Sequence, residues 1–102
     1  MKVQYFTSVL NAQFNRQAVK LHTVNIIEIT NGDLQSIRSF PDNPKGNKQA
    51  ERLFKRLVKE FEAQTLTTKR DAILSNPADM QNYLDDGIFE EDGYQVIISH
   101  ST

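Results

Sequence analysis

Hydrophobic residues recur along this chain with two spacings, and the change from one to the other divides it into elements. Residues 2–10 alternate, with Val3, Tyr5, Thr7 and Val9 on one side and Phe6, Ser8 and Leu10 on the other, so they predict a strand. Asn11 to Gln17 is polar around Phe14 and reads as a loop. A second strand over 18–30 has an apolar centre, Val24-Asn25-Ile26-Ile27-Glu28-Ile29, partly apolar on both faces, which suits a central strand. Asn31-Gly32 follows. A type I′ turn needs positive φ at both middle residues, and Asn and Gly tolerate this best. The turn predicts a hairpin pairing Ile29 with Leu34 and Ile26 with Ile37, its outer strand ending near Phe40 because Pro41 lacks a ladder donor.

Beyond Pro41 the period lengthens. Asn43 is placed to cap a helix with Pro44 in its first turn, although Gly46 weakens the start. Ala50, Leu53, Phe54, Leu57, Val58 and Phe61 then form an i, i+3, i+4 stripe, predicting an amphipathic helix over 44–63. Thr67 or Thr68 is expected to cap a short piece over Ala72, Ile73 and Leu74. Ser75-Asn76-Pro77 breaks that piece and starts another through Met80, Tyr83 and Leu84, with Gly87 past its end. A closing hairpin turns at Asp92-Gly93, pairs Phe89 with Val96 and Ile88 with Ile97, and runs from Tyr94 to Ser99. Its Val96-Ile97-Ile98 run suits an interior strand. The expected fold is one α+β domain over 1–102. It has a mostly antiparallel sheet of about five strands, the 44–63 helix on one face, and short helical pieces near 68–86.

Composition narrows the function classes. With no cysteine, disulfides, thiolate metal sites and cysteine nucleophiles are excluded. Apolar runs never exceed three residues, so no segment is expected to span a membrane, and the alternating start lacks the apolar block of a signal peptide. A reducing, cytoplasmic setting is the expectation.

Charge is where the sequence is most unusual. All twelve Lys and Arg lie at or before Arg70, with six acids in the same stretch, so residues 1–70 carry +6. Residues 71–102 contain seven acids and no cation, hence −7, and the net charge of −1 conceals this division. Such polarity acts on a partner at a distance.

Two charged groups are candidate surfaces. Lys48, Arg52, Lys55, Arg56 and Lys59 fall along one flank of the helix, as a phosphate-binding ridge would, or as a solvated face whose stems shield the core edge. Arg38 and Lys45 are possible additions. Glu51 is positioned to pair with Lys55 and Lys48, and Glu62 with Lys59, which would use part of this charge. Asp85, Asp86, Glu90, Glu91 and Asp92 form a possible acidic docking patch; their spacing does not match a calcium loop, because Ile88 and Phe89 intervene.

His22 and His100 stand at strand ends and read as surface residues. The isolated glycines form no phosphate-binding loop, and no residue pattern marks a catalytic set, metal or cofactor. The sequence therefore predicts a small non-enzymatic interaction or regulatory module using oppositely charged surfaces, with a protein partner or self-association and no membrane. Nucleic-acid binding through the basic helix face is the alternative. An enzyme whose site assembles only in three dimensions is a third, requiring a pocket that joins a histidine to a buried carboxylate.

Overall fold

The computed structural model describes residues 22–68 and 73–101. The strand expected over 2–10 and the start of the one expected over 18–30 lie outside them. Four strands and two helices follow in order: β1 (Thr23–Thr30), β2 (Asp33–Pro41), α1 (Pro44–Thr68), α2 (Pro77–Asp86), β3 (Ile88–Glu91) and β4 (Tyr94–Ser101). The fold is α+β, as the patterns predict. The described sheet is antiparallel with strand order β2-β1-β4-β3, one strand fewer than expected. Both apolar-centred strands, β1 and β4, occupy its middle.

The two turns form as their chemistry dictates. Asn31 and Gly32 have φ of 51° and 84°, and Asp92 and Gly93 have 49° and 81°. Positive φ at both central residues is the type I′ signature. The β3–β4 register pairs Phe89 with Val96 and Ile88 with Ile97, as predicted. In the β1–β2 hairpin Ile29 does face Leu34, but the register slips between Glu28 and Ile29, so Glu28 faces Ser36. Ile26 therefore faces Arg38, and Ile37 faces Ile27, which corrects the expected Ile26–Ile37 pair. Gln35 is the extra residue of this bulge. The slip keeps like with like: Ile27, Ile29, Leu34, Ile37 and Ile97 cluster on one face.

The other face carries the main core. Val24, Ile26, Phe89 and Val96 pack against Ala50, Leu53, Phe54 and Val58 of α1 and Met80 of α2. Phe54 is fully buried; replacing such a ring by alanine costs about 3–5 kcal/mol. The start of α1 follows the sequence, since the Asn43 side chain accepts from the Gly46 N–H at 2.7 Å. Its end does not. The helix continues to Thr68 rather than stopping at 63, and Thr67 and Thr68 belong to its last turn. Their hydroxyls donate to the Gln64 and Thr65 carbonyls, and Thr65 donates to Phe61, supplying partners where the backbone ladder runs out. Neither threonine opens a new helix, and Ile73 and Leu74 are not helical. α2 begins where predicted: Asn76 and Asp79 form a reciprocal capping box, Pro77 opens the first turn, and Gly87 closes it at φ 73°.

Candidate interaction surface

At 100° per residue, Lys48, Arg52, Lys55, Arg56 and Lys59 fall within an arc of about 100° on α1, spread over about 16 Å of its length. Four of the five are exposed and Lys55 is half-buried. This is the side away from the buried stripe of Ala50, Leu53, Phe54 and Val58. Arg52, Lys55, Arg56 and Lys59, with Glu60 and Ala63, line an open groove of about 490 Å³. A neighbouring depression of about 280 Å³ is walled by Arg38, Phe40, Gln49, Arg52, Leu53 and Arg56. Arg38 reaches it because the bulge-shifted register puts it opposite Ile26, on the face that α1 covers. On the far flank, Lys55 and Lys59 adjoin Ser75, Asn76, Pro77, Met80, Gln81 and Leu84 of the α2 entry.

The acids gather elsewhere. Asp85 and Asp86 end α2, Glu90 and Glu91 lie on β3, and Asp92 sits in the turn after it. Asp85 accepts from Gln81 at 2.8 Å. Strands β2 and β3 are the two edges of the described sheet, about 14 Å apart across three strand spacings. The +6/−7 division along the chain is thus also a division across the sheet for these two groups. The β2 side is not purely basic, since Asp33 opens β2 and Asp42 follows it. Arg56 also shares charge with Glu60 at 3.7 Å, both about 60% exposed. Acidic residues on a four-residue edge strand discourage pairing with another sheet.

One acid that sequence reasoning assigned to the helix surface is inside. Glu62, expected beside Lys59, is 6% exposed. Its Oε2 accepts from the Ser75 backbone N–H at 3.0 Å and from the Ser75 hydroxyl at 2.7 Å. With its proton committed to Glu62, Ser75 Oγ accepts from Tyr83 O–H at 3.0 Å. The chain Tyr83–Ser75–Glu62 ties the α2 entry to α1. A sequence signal for this existed: Glu62 is four residues beyond Val58 and eight beyond Phe54, on the apolar stripe itself.

The histidines lie at the other end. His100 Nδ1 is 3.3 Å from Asp42 Oδ2, and the His22 carbonyl accepts from the Asp42 N–H. Asp42 is held below its ordinary range, first by the Asn47 side-chain hydrogen bond and then by His100. Glu62 lies about 27 Å along α1 from Pro44, which adjoins this cluster. The fold therefore does not join either histidine to the buried carboxylate.

Comparison with known proteins returned no matching family model, no matching curated protein and no matching solved structure.

Proposed function

We propose that this chain is a small non-enzymatic interaction or regulatory module that works through two oppositely charged surfaces. The cationic ridge of Lys48, Arg52, Lys55, Arg56 and Lys59 engages an anionic partner, and the acidic group of Asp85, Asp86, Glu90, Glu91 and Asp92 engages a cationic one. What supports this reading is that the two groups sit toward opposite edges of one sheet.

A single exposed ion pair contributes about 0–1 kcal/mol, so the affinity comes from the array and is strongly screened by salt. The simplest partner is a second copy, ridge against acidic edge. Such a contact is head-to-tail, so it builds rings or open chains rather than stopping at a two-fold dimer.

Sedimentation velocity at low salt (about 20 mM) and high salt (about 500 mM) tests this. Larger species are expected at low salt and a monomer at high salt. Lys55→Glu should disperse the low-salt species, and combining it with Glu91→Lys should restore them. A monomer at both salts that also binds neither a polyanion nor a polycation would overturn the reading.

A further inference from the structure

We infer that the depression between β2 and α1 is an anion site that seats phosphates of a nucleic-acid strand; this names the partner of the cationic ridge and rests on the reading above. Three guanidinium groups meet there. Arg38 comes from β2, and Arg52 and Arg56 come from consecutive turns of α1. Like charges drawn together by tertiary structure repel, and the walls of this depression contain no carboxylate: the other lining residues are Phe40, Gln49 and Leu53. Arg56 has Glu60 at 3.7 Å, but both side chains are well exposed, and a pair of that kind is readily exchanged for a ligand. An incoming phosphate relieves the repulsion. The planar fork of arginine matches its oxygens two at a time, and the Gln49 amide supplies a further donor.

The shape of the surface favours a polymer over a single anion. The depression and the adjoining 490 Å³ groove share Arg52 and Arg56, so cations continue without a break to Lys55 and Lys59. From Arg52 to Lys59 the row extends about 10 Å along the helix. Repeated phosphates fit a row of cations, whereas one phosphate needs only the cluster. Carboxylates of an acidic peptide would satisfy the same guanidiniums. The half-buried ring of Phe40 beside them distinguishes the two, because it offers an aromatic surface to a base. The acidic edge across the sheet repels the same strand and so confines it to the α1 side.

Fluorescence anisotropy with labelled oligothymidylate of about 20 nucleotides, and with polyglutamate of similar charge, decides the matter on the full-length chain. The oligonucleotide is expected to bind at low salt, with polyglutamate about tenfold weaker or more. Substituting Arg38→Gln together with Arg52→Gln should reduce the slope of log affinity against log salt by about two. Both side chains are exposed, so the fold, followed by circular dichroism, should survive. As a second variant, Arg52→Lys with Arg56→Lys preserves charge and should still weaken binding, because the forked geometry is lost. No oligonucleotide binding at low salt, equal binding of polyglutamate, or a double-glutamine variant with an unchanged slope would each overturn the inference. Polyglutamate binding without oligonucleotide binding would do so while leaving the interaction-module reading in place.

Discussion

Tyr94 donates its hydroxyl to Glu28 Oε2 at 2.7 Å, joining β4 to β1, while its ring lies flat on Phe61 of α1 with centroids 4.8 Å apart. The second carboxylate oxygen of Glu28 accepts from Ser36 of β2 at 2.7 Å. One half-buried acid therefore links three strands beneath the helix. Burial first, and then the hydrogen bond to Glu28, push the Tyr94 phenol well above its ordinary value. A raised phenol pKa means that the folded state favours the neutral form. Its contribution to stability is intact below the ordinary value of about 10 and is lost as pH climbs through the folded value. Tyr94→Phe should lower unfolding free energy at neutral pH by about 1–2 kcal/mol, and should remove this component of alkaline destabilisation. Urea titrations from neutral pH to about 11 compare the two proteins; identical curves would contradict the role assigned to the hydroxyl.

Gly46 is placed in the first turn of α1, where alanine would raise helix propensity by about 1 kcal/mol. A Cβ there would overlap the Pro41 carbonyl oxygen. The close approach of α1 to the end of β2 requires the missing side chain, so Gly46→Ala should destabilise by about 2 kcal/mol or more despite its better propensity. Thermal unfolding measures this, and a raised melting temperature would show that the contact is not there.

Removing the Glu62 carboxylate leaves the Ser75 N–H without its acceptor, a loss of about 1–3 kcal/mol for a buried group. Ser75→Ala removes one hydroxyl and should cost less. Because both changes break the same link, Glu62→Ala with Ser75→Ala should be less destabilising than the sum of the two. Additive effects in this double-mutant cycle would mean the residues are not coupled.

Asp42 depends on Asn47 more than on His100 for its low pKa. Asn47→Ala should raise the Asp42 midpoint toward the ordinary carboxylate range, followed by the carboxyl carbon signal in NMR. A lowered carboxylate pKa contributes stability above the ordinary value, which is lost as pH falls through the folded one. The variant should therefore be less sensitive to acid at this site, and His100→Ala should shift the midpoint less.

What the sequence determined by itself is what short-range sterics and amphipathic period decide. Asn31-Gly32 and Asp92-Gly93 impose positive φ, and the second turn carries its register unaltered into the Phe89–Val96 pair. Asn43-Pro44 and Asn76-Pro77 supply caps before apolar stripes, so both helix starts were legible. Tertiary structure decided the rest. The bulge at Gln35 is favoured by packing on a face the turn cannot sense, and it moves Arg38 beside Arg52 and Arg56. Glu62 lies on the apolar stripe, but whether a carboxylate there is buried depends on a donor thirteen residues away. The chain sequence shows its charges separated at residue 70, yet only sheet order puts β2 and β3 at opposite edges. Local geometry follows from neighbouring residues. Partners distant along the chain become neighbours only when the core closes, and that closure is what sets the candidate surface.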